Sequence, residues 1–537
     1  MAPADRRWLV LSVVAVAQLM VVLDSTIVNI ALPSAQQALG FPNSDRQWVV
    51  TAYALAFGSL LLVGGRLGDM YSRKQVLITG LIGFAVASAI GGAAVSFVML
   101  VSARALQGAF GAILAPSALG TLVSTFRDPR ERGRAFAVFG SVAVGGGAVG
   151  LILGGVLTQY LSWRYTLFVN LIFAAIAVAG ALAYIRSGRP AAPPRMDWPG
   201  AVLACTGLFL IVFGFSRAET AGWTATLTLG SLVLGAVLLT AFVVAEQRSS
   251  HPLLPLRVIL DRTRGGSYVA VGITGIAIFG IFLFLTYYMQ QVKGYSPLTT
   301  GLLFLPLTAG ILVASTLYSV VASRVGPRPL ITAGMLLSAG GTAYLAQLTV
   351  TSSYLAGVLP ALLIMGLGFG MIFAPSVNTA TAGVPRQDSG VASALVNTMQ
   401  QVGGSIGISV LSTIVASATT SYLIAHHTGP QAPAIAATHG YTLAFTISAA
   451  LLGLGAILAI LMLPSRKRLE ELTSEASALI PEPEPEVAAP GLAPQSQAAS
   501  TLQPAVKVMP VGLLCCSPVI DLVSHWRRPG RPCSGRT

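Results

Sequence analysis

The chain has 537 residues, of which 54% are hydrophobic and only 9% are charged, and its formal net charge is +14. Soluble domains carry about 25% charged residues, so this composition excludes an ordinary soluble globular protein. Apolar runs of about 20 residues, each long enough to cross a hydrocarbon core of about 30 Å, recur along most of the chain. The sequence therefore predicts an all-α polytopic membrane protein.

The excess positive charge follows the predicted membrane topology. Arg and Lys cluster in alternate loops, at positions 73–74, 127–134, 186–195, 248–264, 324–328 and 466–468, whereas the intervening loops hold few of them. Loops on the cytoplasmic side of a membrane accumulate basic residues. The pattern predicts that both termini are cytoplasmic, and it requires no nucleic-acid partner.

The apolar runs predict about fourteen transmembrane helices, an even number that agrees with two cytoplasmic termini. Their expected starting residues are Trp8, Trp48, Gln75, Val98, Ala135, Tyr165, Pro199, Thr224, Ser267, Thr299, Arg328, Tyr354, Val391 and Tyr441. Beyond the last helix the chain becomes rich in Pro, Glu and Ala, a composition typical of disorder. Residues 464–537 are therefore predicted to form a cytoplasmic, largely disordered tail.

The first predicted helix contains a carboxylate, Asp24, near its middle. A charge at the bilayer centre costs at least ~2.5 kcal/mol on the mildest insertion scale, so Asp24 requires a partner. The fourth helix runs the opposite way and carries Arg104. From the helical rise per residue, both side chains lie roughly 9–13 Å below the outer surface. We predict an ion pair that protonation of Asp24 breaks, so that a proton is traded for substrate. A purely structural ion pair is the alternative.

Two further features belong to helices four and five. Gln107 lies three residues after Arg104 on the same helical face, where it orients the guanidinium or contacts substrate. Gly146, Gly150 and Gly154 form a ladder at four-residue spacing, which permits close approach of another helix. The same region matches the dinucleotide-binding pattern G-x-G-x-x-G, but no strand precedes it, so no cofactor is predicted.

Polar and aromatic side chains inside the predicted helices are candidates for substrate contact. Besides Gln107 they are Tyr53, Tyr288, Asn378, Asn397, Gln400 and Gln401. Polar residues that hold membrane helices together are equally common, and this alternative stays open. Apart from Asp24, no acid lies deep in a helix. This favours neutral, zwitterionic or monocationic amphiphiles, with tetracycline-like compounds among them.

The chain contains an internal repeat. "FGAILAPS" at 110–117 in the fourth helix returns as "FGMIFAPS" at 369–376 in the twelfth, and glycines of the fifth helix recur in the thirteenth. Both members of each pair run the same way through the membrane, as in transporters built from two parallel halves. We predict an N-terminal six-helix half over 1–190, two linker helices over 191–250 and a C-terminal six-helix half over 251–463.

Five motifs in order resemble the fourteen-helix drug:proton antiporter branch of the major facilitator superfamily, the EmrB/QacA type. They are "LDSTIVNIALP" at 23–33, "GRLGDMYSRK" at 65–74, "RALQGAFGA" at 104–112, "GGAVGLILGG" at 146–155 and "YYMQQVKGYSPLTTGLLFLP" at 287–306. The resemblance spans about Trp8 to Pro464. It implies the major facilitator fold, transport by alternating access and a place for Asp24 and Arg104 in the transport core.

The resemblance also implies a cytoplasmic gate. Its residues here are Gly65, Asp69 and Arg73, with Asp69 reaching the start of the thirteenth helix at "QDSG", 387–390. The ladder of helix five is implied to take part in gating as well. A solvated Asp69–Arg73 surface pair is the alternative. Two positions depart from the family pattern: Ser72 replaces a glycine of the loop motif, and Leu151 replaces a proline of the antiporter motif.

The predicted activity is proton-driven efflux of small amphiphilic drugs or antibiotics across the bacterial cytoplasmic (inner) membrane, conferring drug resistance. The expected partners are the substrate, protons and the lipid bilayer, with no cofactor, no metal and no catalytic residue, and a monomer is one compatible assembly. A proton-coupled transporter of a metabolite or siderophore is the alternative that Leu151 keeps open. A membrane-embedded enzyme or sensor is disfavoured because the sequence shows no catalytic constellation and no soluble domain.

Overall fold

The computed structural model describes residues 3–126, 128–186, 196–249, 252–254, 261–382, 389–426 and 429–468, together with 259, 384 and 471. These residues belong to one compact unit, Met1–Ile480. All regular secondary structure in the described part of the chain is helical. Nearly all of the predicted tail, 464–537, lies outside the described residues, so its disorder stays a prediction.

The described helices are numbered here in chain order. They are α1 (Pro3–Leu39), α2 (Trp48–Met70), α3 (Arg73–Gly92), α4 (Phe97–Thr125), α5 (Pro129–Tyr160), α6 (Tyr165–Tyr184), α7 (Trp198–Ala221), α8 (Thr226–Arg248), α9 (Arg262–Tyr287), α10 (Pro297–Leu303 and Leu305–Val325), α11 (Pro327–Leu345), α12 (Leu359–Thr381), α13 (Ser389–Ala425) and α14 (Ala432–Met462). The two parts of α10 are interrupted only at Phe304 and form one apolar span. A π-helical turn extends α9 over Tyr288–Val292, and another precedes α12 over Tyr354–Val358.

Thirteen of the described helices are long and apolar enough to cross a membrane. The remaining one, α11, has 19 residues and begins with Pro327, Arg328 and Pro329, which lower the mean hydropathy of its first turn. The predicted all-α membrane fold is therefore confirmed. Some predicted starts are late: α14 begins at Ala432 and not near Tyr441. The reason is that an apolar run marks only the part of a helix inside the membrane, whereas the helix itself continues beyond it.

The two sets of six helices repeat the same contacts. In the first set, α1 packs against α4, α5 and α6, α4 also contacts α2 and α3, and α3 contacts α6. In the second set, α9 packs against α12, α13 and α14, α12 also contacts α10 and α11, and α11 contacts α14. Adding eight to each helix number of the first set gives the contacts of the second set. The limits of the domains themselves stay a prediction.

Contacts between the two sets obey the same relation. Helix α2 packs against α13 and helix α5 packs against α10, and each pair becomes the other under the shift of eight. The additional helices α7 and α8 pack against one another, and α7 also contacts α2 and α13. The linker pair therefore lies beside the α2–α13 contact, away from the α5–α10 contact.

The two sets are joined at the end of the bundle where α1 ends and α2 begins, which is the predicted outer end. Tyr287 Oη donates to Gln36 Oε1 at 2.7 Å, and Gln290 Nε2 donates to the carbonyl of Ile30 at 3.0 Å. The backbone N–H of Leu298 on α10 donates to Gln159 Oε1 on α5 at 3.3 Å. These contacts close the bundle at this end.

Candidate functional site

The site is centred on Asp24 in the middle of α1. Its exposed fraction is 0%, and that of Arg104 on α4 is 1%. Arg104 Nη1 donates to Asp24 Oδ2 across 2.6 Å. The pair forms because α1 and α4 run in opposite directions and bring the two residues to the same depth. Removing one member of a buried ion pair costs about 3–5 kcal/mol, because it leaves the other charge without compensation.

Two amides complete the surroundings of the Asp24 carboxylate. Gln107 Nε2 on α4 donates to Asp24 Oδ1 at 2.9 Å, and Asn170 Nδ2 on α6 donates to the same oxygen at 2.8 Å. Arg104 Nη1 also donates to Gln107 Oε1 at 2.9 Å, so Gln107 holds both charged partners. Asp24 therefore accepts three hydrogen bonds, an arrangement that suits an ionised carboxylate.

Ser88 on α3 connects the two amides. Its Oγ accepts from Gln107 Nε2 at 3.0 Å and from Asn170 Nδ2 at 2.9 Å. The same hydroxyl donates to the carbonyl of Leu167 on α6 at 2.8 Å. Four helices, α1, α3, α4 and α6, thus converge on one buried polar network.

The guanidinium of Arg104 has a second set of contacts on α2. Arg104 Nε donates to the carbonyl of Val49 at 3.2 Å, and its guanidinium carbon lies 4.3 Å from the ring centroid of Tyr53. Tyr53 stacks in turn on Phe57. The hydroxyl of Tyr53 is buried and has no hydrogen-bond partner within the described structure. Arg104 therefore keeps favourable contacts with α2 that do not depend on Asp24.

Two members of this network, Ser88 and Asn170, are absent from the residues that the sequence singled out. Both are fully buried. Asn170 lies in α6, an apolar run of 20 residues. Burying its polar side chain in the membrane costs free energy, as it does for the polar residues that the sequence analysis named. The depth argument applied to Asp24 extends to Asn170, but no sequence signal places Ser88 beside it.

The glycine ladder of α5 packs against α1, the helix that carries Asp24. A Cβ on Gly146 would lie 3.0 Å from Leu19 Cδ1, and one on Gly154 would lie 2.8 Å from Ile27 Cγ1. A Cβ on Gly150 would collide with Thr26 Oγ1. Helix α5 is uninterrupted from Pro129 to Tyr160, with Leu151 buried inside it. The gating role of the ladder stays a prediction.

The loop-motif residues have mixed positions. Gly65 is loosely packed, since a Cβ there would lie 3.9 Å from Pro116 Cβ, whereas a Cβ on the preceding Gly64 would lie 2.7 Å from the carbonyl carbon of Ala112. Arg73 Nη1 donates to the carbonyl of Gly120 on α4 at 3.2 Å. The side chain of Asp69 and residues 387–388 lie outside what the structure describes, so the cytoplasmic gate stays a prediction.

The candidate substrate-contact residues are brought together only in part. Tyr53 and Gln107 both contact Arg104. Tyr288 Oη donates to the carbonyl of Thr349 at 2.7 Å, and Asn378 Nδ2 donates to Tyr318 Oη at 2.8 Å. The others lie on α13, where Asn397 is exposed and Gln400 and Gln401 are half-buried. Substrate contact stays a prediction for this set.

Comparison with known proteins gives a consistent result. The family model described as Major Facilitator Superfamily matches residues 14–408. A puromycin resistance protein of Streptomyces alboniger is 46% identical over 478 residues, covering 88% of this chain and 95% of the relative. A cephamycin export protein of Amycolatopsis lactamdurans is 40% identical over 413 residues, covering 75% and 84%. A lincomycin resistance protein of Streptomyces lincolnensis is 32% identical over 472 residues, covering 87% and 94%.

Solved structures support the fold. An auto-inhibited peptide transporter of the POT family matches with a TM-score of 0.63 and 15% identity, covering 85% of this chain and 96% of the other. A bacterial homologue of the lysosomal transporter Spinster, in an inward-facing and occupied conformation, matches with a TM-score of 0.58 and 14% identity, covering 87% and 97%. At this level of identity the likeness concerns the fold alone.

Proposed function

Because this chain belongs to the major facilitator superfamily, we propose that it exports small amphiphilic antibiotics in exchange for protons. It is a multi-pass membrane transporter and not an enzyme. Relatives named for puromycin, cephamycin and lincomycin support an antibiotic as the substrate. Tetracycline-like compounds remain one substrate class to be tested among others.

The observation that carries the proton-coupling part of the proposal is the fully buried Asp24–Arg104 pair. Among the described residues, Asp24 is the fully buried acid in the middle of a membrane span. Arg104, Gln107 and Asn170 all donate hydrogen bonds to its carboxylate. A proton arriving at this carboxylate removes the charge that Arg104 and the two amides bind. Protonation therefore weakens the hydrogen bonds of Asp24 to α4 and to α6 at the same time.

The contacts of Arg104 suggest how this change reaches the rest of the transporter. With Asp24 ionised, Arg104 links α1 to α4, while Val49 and Tyr53 link it to α2. With Asp24 protonated, Arg104 keeps its contacts with α2 and with Gln107 on its own helix, whereas its contact with α1 weakens. The contact of α1 with α4 therefore loosens. Helix α1 also carries the face that packs on the glycines of α5. Movement of α1 against α4 and α5 then couples the proton to alternating access. The membrane potential supplies ~2.3 kcal/mol per proton per 100 mV.

Drug susceptibility in a pump-deficient bacterium tests the export function. Expression of the chain should raise the inhibitory concentration of puromycin or of another antibiotic in a panel that includes lincomycin and tetracycline. An inactive Asp24→Asn variant, expressed at equal level, is the matched control. No change for any compound would contradict antibiotic export.

Proton exchange is measured separately in inside-out membrane vesicles energised to an acidic interior. Addition of an exported antibiotic should release protons from the vesicles, detected as recovery of the fluorescence of a pH-gradient dye. Substrate transport without proton release would exclude antiport. Proton movement in the same direction as the substrate would indicate symport, the alternative associated with Leu151.

A further inference from the structure

Protonated Asp24 needs a hydrogen-bond acceptor, which the three groups that now donate to its carboxylate do not offer. An ionised carboxylate only accepts, but a protonated one carries an O–H that must be donated. Asp24 Oδ2 faces Arg104, which has no acceptor atom. Asp24 Oδ1 faces the NH₂ groups of Gln107 and Asn170. Inversion of one of these amides would supply the acceptor and avoid an unpaired buried O–H, which costs about 1–3 kcal/mol.

Gln107 is held against inversion. Its Oε1 accepts from Arg104 Nη1 at 2.9 Å. Inversion would turn its NH₂ group toward the guanidinium, and two donors would then face each other in a buried site. The amide orientation of Gln107 is consequently determined by Arg104 whatever the protonation state of Asp24.

Asn170 is free to invert. Its Oδ1 is buried and has no hydrogen-bond partner among the described residues, whereas its Nδ2 donates to both Asp24 and Ser88. Inversion places Oδ1 toward the Asp24 O–H and leaves the number of unpaired amide groups unchanged. Ser88 tolerates the change, since a hydroxyl is both donor and acceptor. Its hydrogen can leave the carbonyl of Leu167 and turn to Asn170 Oδ1.

We propose that Asn170 is a positioning residue whose side-chain amide inverts when Asp24 is protonated. The inversion replaces an Asn170-to-Asp24 hydrogen bond by an Asp24-to-Asn170 hydrogen bond. It also releases the link from Ser88 on α3 to Leu167 on α6. This inference rests on the proposed proton coupling at Asp24, and it adds the route by which α3 and α6 detect the proton.

The groups around Asp24 differ in whether they change charge with pH. Among the described residues, the titratable or charged groups facing the carboxyl are Arg104 from α4 and Tyr53 from α2, whose ring lies on the guanidinium. Helices α3, α5 and α6 present Ser88, Gly150 and Asn170, which do not titrate. Arg104 is not deprotonated in proteins, and a phenol ordinarily titrates near pH 10, so a change of this network at neutral or acidic pH originates at Asp24.

Infrared difference spectroscopy tests the inversion in the native full-length protein. Spectra at high and low pH are compared for protein in lipid vesicles, with and without carbon-13 at the asparagine side-chain carbonyls. We expect a protonated-carboxyl band that is missing in Asp24→Asn. We also expect an asparagine carbonyl band that responds to the isotope, has the same pH midpoint and is missing in both Asp24→Asn and Asn170→Leu. A carboxyl band without the asparagine band would overturn the inversion while leaving proton coupling at Asp24 intact.

The pH profile of efflux provides a second readout. Asn170→Leu removes a charge-assisted hydrogen bond from ionised Asp24 and a weaker neutral one from protonated Asp24. Protonation becomes easier, and the midpoint of the profile should rise by about one pH unit, a tenfold change in proton affinity. Asn29→Leu is the matched control, because within the described part of the chain Asn29 donates only to the carbonyl of Ser25 in its own helix, and no shift is expected. An unshifted midpoint in Asn170→Leu would contradict the role of Asn170. If Asp24→Asn still coupled efflux to protons, the proposed function itself would fail.

Discussion

The guanidinium carbon of Arg46, in the loop between α1 and α2, lies 4.2 Å from the ring centroid of Tyr287 on α9. The rings of Phe284 and Tyr441 lie at 5.8 Å, and the exposed fraction of Arg46 is 5%. A cation from the first set of helices is thus enclosed by three aromatic rings of the second. Desolvated cation–π contacts contribute about 2 kcal/mol, so this contact stabilises the closure at the predicted outer end.

Opening of this closure is expected in Arg46→Gln, because the neutral amide cannot replace the cation–π contact. In a variant that carries Ala35→Cys, a buried position near the same end of α1, Arg46→Gln should increase the rate of labelling by a membrane-impermeant thiol reagent several-fold. Tyr287→Phe keeps the ring and loses only the hydrogen bond to Gln36, so its effect should be smaller. Equal labelling rates with and without the Arg46→Gln substitution would show that the aromatic contact does not hold the two sets together.

Asp24→Asn should abolish proton-coupled efflux, because nothing remains to titrate, and should reduce stability, because Arg104 loses its counter-charge. The expected loss is about 3–5 kcal/mol, measured by thermal or denaturant unfolding in detergent. The double variant Asp24→Asn with Arg104→Gln should recover much of the stability but not the transport. A double variant that exports as well as the parent would identify the pair as purely structural.

The ladder of α5 supports a comparison between two glycines of one helix. Gly150→Ala should lower stability by about 1–3 kcal/mol, because the new methyl group collides with Thr26. Gly145→Ala is the matched control, since no described residue of another helix lies within 4 Å of its Cβ position. Alanine is also the better helix former, so this variant should be unchanged or more stable. Equal melting temperatures for the two variants would mean that α5 does not need the close approach to α1.

Two adjacent glycines with different surroundings lie at the start of the loop motif: Gly64 immediately precedes the motif, and Gly65 is its first residue. Gly64→Ala should impair folding and efflux, because its methyl group would run into the backbone of α4 at Ala112. Gly65→Ala should be tolerated structurally, since the nearest atom to its Cβ position is 3.9 Å away. Expression level and melting temperature measure the structural part. A loss of efflux in Gly65→Ala at normal stability would support the gating role that the motif implies for Gly65.

Asp69→Asn should abolish efflux while leaving the amount of protein in the membrane unchanged. The reason is that the predicted gate depends on the attraction between a carboxylate and a helix N-terminus, and the isosteric amide removes only the charge. Antibiotic susceptibility and immunodetection in the membrane fraction check the two parts. Full resistance in this variant would reduce Asp69 to a surface residue.

The amino-acid sequence by itself determined the membrane fold, the order of the helices and the depth of Asp24 and Arg104. Each of these depends on quantities that run along a single helix, namely hydropathy and rise per residue, and the bilayer turns both into positions along its normal. The depth of Asn170 was available from the same reasoning. Its importance was not, because depth alone does not tell which face of α6 looks toward α1.

Only the tertiary structure decided which side chains meet at a given depth. The junction of Gln107, Asn170 and Ser88 at Asp24 requires the rotation of α3, α4 and α6 about their own axes. That rotation is set by packing of all neighbouring helices at once. The same reason separates Gly64 from Gly65, which are adjacent in sequence but face different surroundings. Tertiary packing also accounts for the burial of Arg46. This residue lies in a loop, and the second set of helices supplies the three aromatic rings that surround it.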